Sequence, residues 1–373
     1  MPNTPNIAIV GAGLIGRMLA VSLSESHKVT LFDRDDRQGT LSAAHLAAAM
    51  LAPLAESADS SLSVMQMGQR SLELWPGILE KLQKPVFFQQ NGSLILAYEQ
   101  DYGNLVDFGH RIKGEPGKEY ASLTSLQLEE LEPELARQPH TFQHILWLPE
   151  EGQLDNRELL ESLASTLEQR NVVWHQNTEV SIENRQVVYD GQRQSFDWVI
   201  DCRGLGAKNQ ILQTGSEPGK HKLRGVRGEV VRLYAPEVNL NRPVRLMHPR
   251  YPIYIAPKAD HRFVVGATQI ETEDQRQPTV RSALELLSAC FSVHKGFAEA
   301  EILEIKSGLR PALEDNEPKI RVDGNLIQVN GLFRHGYLLA PAMAEQCIAL
   351  IDSALPKPPV FEHLIEFTEN RHD

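Results

Sequence analysis

Apolar residues at the start of the chain follow first the period of a strand and then that of a helix. Residues 7–10 form a short apolar run, a turn with three glycines follows, and apolar residues recur at helical spacing between Leu14 and Leu23. A second apolar run, residues 29–32, ends at Asp33. This order predicts a strand, a helix and a second strand packed as one βαβ unit.

The middle of the chain is richer in strand patterns than in helix patterns. Apolar runs bounded by turn residues predict strands at residues 86–88, 93–96, 172–174, 179–181, 187–189, 198–201, 254–257 and 264–266. Residues 159–167 have the period of a surface helix, whereas residues 104–140 are typical of polar helices or loops. Residues 326–352 again have the order strand, loop and helix. The two ends therefore predict one domain, with a strand-rich second domain inserted between them.

Composition is that of a two-domain globular protein. Of 373 residues, 42% are apolar and 23% charged, which excludes disordered, collagen-like and coiled-coil proteins. The net charge of −12 repels phosphate backbones and anionic membranes, so we expect neither nucleic acid nor a membrane as a partner. Cys202, Cys290 and Cys347 form no metal-binding pattern, and no apolar stretch is typical of a signal peptide or a membrane span. We expect a cytoplasmic protein without a metal.

The glycine turn carries the first chemical signal. In the sequence Gly-Ala-Gly-Leu-Ile-Gly, Gly11 permits the tight turn, Gly13 lets a pyrophosphate approach the backbone, and Gly16 lets the helix pack closely on the strand. The free N–H groups of the helix N-terminus then bind phosphates. Asp33 accepts hydrogen bonds from a ribose and repels a 2′-phosphate, which disfavours NADP. The glycines alone are a weak signal, but with the flanking strands and Asp33 they predict a dinucleotide site.

A stretch of small residues follows at residues 42–56. Such a backbone could lie flat against a bulky planar group, and the alternative interpretation is a tightly packed helix.

Motifs along nearly the whole chain resemble the D-amino-acid oxidase family of flavoproteins, and within it the glycine oxidases of thiamine biosynthesis. The motifs are the glycine turn with Asp33, residues 48–53 with Glu56, and residues 199–204, 225–229, 254–257, 266–268, 308–311, 334–336 and 338–341. Together they are far more specific than the glycine turn. The fold class that they imply is α/β, or α+β overall: a Rossmann-like FAD-binding domain (residues 1–82, 148–218 and 305–373) with an inserted substrate-binding domain (residues 83–147 and 219–304).

The resemblance implies a non-covalent FAD in an extended form. The residues that would contact it are Gly11, Gly13, Leu14, Ile15, Gly16, Asp33, Arg34, Ala47, Ala48, Met50, Val180, Gly204, Arg310, Arg334, His335, Gly336, Tyr337 and Leu338. Of these, Ala47, Ala48 and Met50 would line the isoalloxazine ring, and the backbone of Val180 would meet the adenine. His45 lies about one position away from the register of covalent attachment, so no tether is expected.

The implied reaction is oxidation of a small amino acid. A hydride passes from Cα to flavin N5, the imine is hydrolysed, and O2 is reduced to peroxide. The imine of glycine would serve the thiazole of thiamine, which makes a thiazole synthase a possible partner, and a homo-oligomer is expected.

Three residues are expected to act on the substrate. By the resemblance, Arg310 binds its carboxylate, Tyr254 helps to hold that carboxylate, and Arg334 belongs to the loop that closes over the flavin. No catalytic base is assigned, because hydride transfer from a neutral amine needs none. The helix that begins after Gly336 would stabilise an anionic reduced flavin through its N-terminal amides.

The sequence departs from the family pattern at three positions. His335 stands where glycine oxidases often have Asn, Ala49 where they often have Gly, and Gln269 where some members have Met. His335, Gln269 and Met50 are the expected substrate-lining residues. Glycine as the preferred substrate is therefore less firmly implied than the oxidase class.

Three other functions stay open at this point. One is an amino-acid dehydrogenase that reduces a membrane quinone, although no basic amphipathic or apolar anchor is present to support it. The second is an FAD-bound protein without turnover, which would not need a carboxylate-binding Arg310. The third is an NAD-dependent dehydrogenase, which would leave the C-terminal motifs unexplained.

Overall fold

A computed structural model describes residues 4–112, 121–122, 125–138, 142–210, 222–247, 253–352, 355–361 and 363–368. Its strands are β1 Asn6–Val10, β2 Lys28–Phe32, β3 Met50–Leu51, β4 Phe88–Gln89, β5 Ser93–Ala97, β6 Ala121–Ser122, β7 His144–Leu148, β8 Gly152–Leu154, β9 Val173–His175, β10 Ser181–Glu183, β11 Gln186–Tyr189, β12 Gln192–Gln194, β13 Trp198–Asp201, β14 Arg224–Tyr234, β15 Val244–Leu246, β16 Ile253–Pro257, β17 Arg262–Gly266, β18 Glu301–Ala312, β19 Lys319–Asp323, β20 Leu326–Asn330 and β21 Ile365–Phe367.

The α-helices of the same residues connect these strands. They are α1 Leu14–Leu23, α2 Ala43–Leu46, α3 Pro53–Glu56, α4 Leu62–Leu79, α5 Tyr102–Arg111, α6 Ser125–Leu131, α7 Pro133–Ala136, α8 Asn156–Gln169, α9 Val280–Val293 and α10 Gly336–Ile351. Short 3₁₀ helices occur at Glu99–Asp101, Gly204–Ala207 and Lys295–Glu299.

One large sheet contains the two ends of the chain. Its order is β21-β19-β20-β13-β1-β2-β9, and all its neighbours are parallel except β19 and β20. Ile7 and Ile9 pack into one apolar core and Ala8 and Val10 into another, so both faces of β1 are covered, as is usual for a parallel sheet. The predicted βαβ unit, β1-α1-β2, is confirmed.

The second large sheet has eight strands in the order β18-β14-β17-β16-β15-β5-β7-β6. Its neighbours are antiparallel except β15 and β5. Two three-stranded sheets, β10-β11-β12 and β3-β8-β4, complete the fold. The predicted fold class is confirmed: the structure contains a Rossmann-like unit of helices and strands, and the remainder is rich in strands. The residue bounds of the two domains stay a prediction.

Four local expectations differ from the structure. The single-helix interpretation of residues 42–56 is wrong, because the stretch divides into α2, β3 and α3, and Ala49 between them has a left-handed φ of 54°. The predicted strand at residues 179–181 begins only at Ser181, and that at residues 86–88 is reduced to β4. The C-terminal helix, expected to begin after Gly336, begins at Gly336 itself and contains Pro341.

Candidate active site

A cavity of about 650 Å³ is lined by residues from both large sheets, a volume within the range of cofactor sites. It brings together most of the residues that the sequence marks. Its walls include Gly11, Gly13, Leu14, Ile15, Asp33, Arg34, Ala47, Ala48, Met50, Val180, Gly204, Tyr254, Gln269, Arg310, Arg334, His335, Gly336, Tyr337 and Leu338. Gly16 lies behind this wall, where it permits the turn rather than facing the cavity.

The glycine turn between β1 and α1 has one glycine that faces open space. A Cβ on Gly11, which has a φ of 100°, would lie 2.7 Å from the carbonyl of Cys202, and a Cβ on Gly16 would overlap the carbonyl oxygen of Gly11. A Cβ on Gly13 would have no atom within 4 Å. The backbone at Gly13 is therefore open to a group that approaches from the cavity, as a pyrophosphate would.

Asp33 lies at the end of β2 beside this turn. Its carboxylate accepts a hydrogen bond from the N–H of Ala12 and another, of 2.7 Å, from the N–H of Asp35. It is partly exposed in the cavity wall, next to the exposed Arg34. Helix α1 has no side-chain cap and no acidic residue in its first turn, so its N-terminal amides can bind an anion. The turn and the acid thus fit the ADP half of a dinucleotide.

The segment of small residues forms a second part of the wall. Ala47, Ala48 and Met50 line the cavity between α2 and β3. Behind this segment the buried Nζ of Lys258 donates to the carbonyl oxygens of Ala48 (2.9 Å) and Leu154 (2.8 Å). Burial lowers the pKa of Lys258 to about 7, against the effect of Asp155. These hydrogen bonds hold the backbone just before β3 and at the end of β8 in place behind the small side chains that line the cavity.

Arg310, on β18, also lines the cavity. Its guanidinium occupies the space that a Cβ on Gly228 would need, and it donates to the carbonyl oxygens of Thr268 (3.2 Å) and Arg227 (3.4 Å). Within the described ranges, no carboxylate forms an ion pair with it. Burial lowers its pKa, Tyr254 raises it and Arg334 lowers it. The guanidinium is thus a cation with neutral partners, which suits a ligand carboxylate.

Tyr254 and Arg245 stand directly opposite each other on β16 and β15. The side chains of two residues paired in this way project from the same face of an antiparallel sheet, and both residues line the cavity. Burial raises the pKa of the Tyr254 phenol, while Arg310 and Arg245 act to lower it. Tyr254 therefore keeps its proton near neutral pH and can donate a hydrogen bond.

Glu56, at the end of α3, joins three groups of the site. One carboxylate oxygen lies 2.6 Å from Nη2 of Arg245, and the other lies 2.8 Å from Nε of Arg334 and 2.9 Å from Nε2 of His335. Burial acts to raise the pKa of Glu56, but Arg334 and Arg245 lower it to well below its usual range. Glu56 is thus an anion shared by two guanidiniums and an imidazole.

His335 precedes helix α10 at the edge of the cavity and is buried. Its Nε2 lies 2.9 Å from a carboxylate oxygen of Glu56 and 3.2 Å from Nε of Arg334, and its Nδ1 has no partner among the described atoms. No side chain caps α10, so the amides of Gly336, Tyr337 and Leu338 present the positive end of a helix to the cavity.

Two segments of the nucleotide-binding side meet β18 at the position after Arg310. Pro311 lies beside Gly204, and its carbonyl oxygen accepts a 2.9 Å hydrogen bond from the N–H of Phe333. The loop that carries Arg334 is therefore attached to the strand that carries Arg310.

Sequence reasoning did not assign roles to Glu56, Arg245 or Lys258. Glu56 was part of a motif, but its partners lie 189 and 278 or more residues away, so no local spacing could reveal them. Arg245 gave one signal, a charged residue between apolar neighbours in a short strand. Lys258 follows a strand-ending proline, which is usually a surface position.

The described part of the chain contains no group of three or more His, Cys, Asp or Glu placed to hold a metal ion. In the same residues, no helix is both long and apolar enough to cross a membrane.

Comparison with known proteins agrees with this geometry. A protein of Rhizobium etli with the provisional name thiamine biosynthesis oxidoreductase ThiO is 37% identical over 91% of this chain and 94% of its own. The bifunctional protein ThiO/ThiG of Synechocystis is 27% identical over 92% of this chain, which matches about half, 51%, of that protein. The crystal structure of glycine oxidase from Geobacillus kaustophilus superimposes with a TM-score of 0.79 at 25% identity, covering 96% of this chain and 97% of the other.

Residues 6–350 match the DAO family, whose members are described as FAD dependent oxidoreductases. The match covers both ends of the chain, so it includes the glycine turn, the wall of small residues and the loop before α10. The predicted cofactor, FAD, and the predicted resemblance are confirmed. The chain belongs to the DAO family of FAD-dependent oxidoreductases.

Proposed function

We propose that this protein is an FAD-dependent oxidase of glycine or a similarly small amino acid, that it produces an imine and reduces O2 to H2O2, and that it supplies iminoacetate for the thiazole of thiamine. The observation that carries the proposal is the guanidinium of Arg310. It faces the FAD cavity beside Tyr254 and has only carbonyl partners among the described residues.

Arg310 would bind the carboxylate of the amino acid. A planar guanidinium can donate two parallel hydrogen bonds to a carboxylate, which fixes both the position and the orientation of the substrate. The protonated hydroxyl of Tyr254 would add a third donor. The α-carbon, one bond from the carboxylate, would then lie in the cavity that Ala47, Ala48 and Met50 also line.

FAD, when bound, supplies the acceptor for the hydride that leaves Cα. The uncapped amides at the start of α10 would stabilise negative charge that develops on a bound flavin. Arg334 covers the substrate side and is held there by Glu56. The carboxylate of Glu56 is shared among three donors, so it is a poor acceptor for a substrate proton, and the amine must arrive neutral.

The role in thiamine biosynthesis is supported by the names of relatives. The Rhizobium etli protein is named for thiamine biosynthesis, and the Synechocystis name couples ThiO with ThiG in one chain. We further propose that the protein is a cytoplasmic homo-oligomer. Its imine product would be used by a separate thiazole synthase.

The test is an anaerobic absorption spectrum of the purified holoenzyme before and after glycine, sarcosine and D-alanine are added in turn. We expect one of them to bleach the flavin band, and peroxide to form when air is admitted. Reduction without reoxidation by air would replace the oxidase with a dehydrogenase that uses another acceptor, such as a quinone. A flavin that none of the three reduces would contradict the proposed substrate class.

A further inference from the structure

The substrate side of the cavity holds more positive charge than one carboxylate requires. Arg245, Arg310 and Arg334 all line it, and Arg310 alone accounts for the carboxylate of an amino acid. Glu56 lies against the other two guanidiniums, at 2.6 Å from Nη2 of Arg245 and 2.8 Å from Nε of Arg334. Glu56 therefore offsets one of these two positive charges and occupies a donor of each guanidinium.

Arg245 has spare capacity to bind such a group. Its side chain is only 9% exposed, Nη2 donates to Glu56, and Nε is buried without a partner among the described atoms. Because Arg245 stands opposite Tyr254, it lies on the same face as the tyrosine that neighbours Arg310. A carboxylate attached to a small amino acid held at Arg310 could reach it.

We propose that Glu56 is the specificity-determining residue that restricts this site to amino acids with a single carboxylate. Its negative charge offsets one of the two positive charges of Arg245 and Arg334, occupies a donor of each guanidinium and repels a second carboxylate of the substrate, an interaction that is strong because the group is only 14% exposed. Removal of that charge converts the same pocket into a site for dicarboxylic substrates. This inference rests on the proposed amino-acid oxidase function.

The variant Glu56→Gln tests the proposal, because the amide has the same size, can still accept a hydrogen bond from Arg245 and lacks the charge. Sarcosine and iminodiacetate are matched substrates that differ by one carboxylate. Acetate and malonate are matched ligands that are not oxidised, and their binding can be followed by the perturbation of the flavin spectrum. Glu80→Gln, an exposed change of the same kind at the residue that follows α4, is the control.

In the wild-type holoenzyme we expect sarcosine to exceed iminodiacetate in kcat/KM, and acetate to bind more tightly than malonate. In Glu56→Gln we expect both ratios to shift towards the dicarboxylate by at least about tenfold. Glu80→Gln should leave both ratios unchanged. Glu56→Asp, which withdraws the carboxylate from the guanidiniums by one methylene, should shift them in the same direction by less, and it serves if the Gln variant does not retain FAD.

Three results would overturn the inference. The first is a wild-type enzyme that binds malonate as tightly as acetate. The second is an equal gain in kcat/KM and affinity for mono- and dicarboxylates in Glu56→Gln, which would show that the variant only makes the electrostatic potential of the cavity more positive. The third is loss of acetate binding in a variant that retains FAD, which would show that Glu56 mainly holds the guanidiniums in position. If no amino acid reduces the wild-type flavin while acetate and malonate still bind, the proposed function fails separately.

Discussion

The guanidinium of Arg310 lies against Gly228, in the space that a Cβ at residue 228 would occupy. The two residues are on the paired strands β18 and β14, where Gly228 is opposite Gly308 and Arg310 is opposite Val226. The absence of a side chain at residue 228 thus leaves room for the cation that faces the FAD cavity.

We therefore expect Gly228→Ala to displace the guanidinium without disturbing the backbone. The added methyl would meet only the flexible end of Arg310, so FAD affinity and the melting temperature should change little. The value of kcat/KM for the amino acid should fall about 100-fold, because two charge-assisted hydrogen bonds are weakened. Gly225→Ala on the same strand, whose methyl would meet Leu309 and Leu205, is the control. Near wild-type kcat/KM in Gly228→Ala would contradict this placement of the clamp.

Arg310→Met should separate the effect of this cation on substrate binding from its effect on protein stability. The specificity constant should fall by about 100- to 1000-fold, while bound FAD is retained. Because burial disfavours the charge of Arg310, the apoprotein should melt at or above the wild-type temperature. Arg310→Lys, which keeps a charge but not the planar fork, should give an intermediate specificity constant. A large fall in the melting temperature of Arg310→Met would mean that the residue is mainly structural.

The glycines of the first turn should respond differently to alanine. Gly13→Ala adds a methyl to open space at an extended backbone with a φ of −71°, so the apoprotein should be as stable as the wild type. FAD affinity, measured by flavin fluorescence quenching, should fall at least about tenfold because the methyl occupies the path of the pyrophosphate. Gly16→Ala, which collides with the carbonyl of Gly11, should destabilise the apoprotein itself. Equal melting temperatures for both variants would refute this difference.

Glu151 should make stability depend on pH. It is fully buried and forms no ion pair among the described residues. Its carboxylate accepts hydrogen bonds from the hydroxyl of Ser93 and from the N–H of Ala55. Burial raises the pKa of its carboxyl to about 7, against the effect of Arg245. Between pH 4.5 and 7 the folded protein therefore binds more protons here than the unfolded chain, and stability contributed by this group is lost as the pH rises.

In Glu151→Gln this loss should disappear. Between pH 5 and 8 the free energy of unfolding should fall less in the variant than in the wild type, by about 3 kcal/mol if the full difference is realised. Urea denaturation at several pH values measures both proteins, and the exposed Glu150→Gln is the control. Parallel pH profiles for the wild type and Glu151→Gln would disprove the assignment.

Local signals made the βαβ unit predictable, whereas the group around Glu56 depends on distant pairings. The turn at Gly11, Gly13 and Asp33 could be read from adjacent residues, because strand period, glycine spacing and helix period all agree within one segment. Arg245 meets Glu56 because α3 packs against β5, which in turn pairs with β15. No periodicity along the chain contains that information.

Two further features could not be predicted for different physical reasons. Small residues are compatible with a helix, so the left-handed backbone at Ala49, which divides residues 42–56, has no compositional signature. Lys258 is buried because three oxygen atoms converge on its Nζ, two of them from backbone that is distant in sequence. Arg310 and Tyr254 were identified through the family motifs, and the cavity brings them together.

Strand β18 carries Arg310 and, one residue later, the proline that contacts the cofactor side through Gly204 and Phe333. The spacing between Arg310, the proposed carboxylate anchor, and the loop that carries Arg334 is thus set by a single piece of β-strand. That spacing is fixed by the backbone of β18, which pairs with β14 along its length. Evolution of a new substrate in this enzyme would therefore proceed through the side chains around the anchor, since moving the anchor itself would also move the cradle of the cofactor.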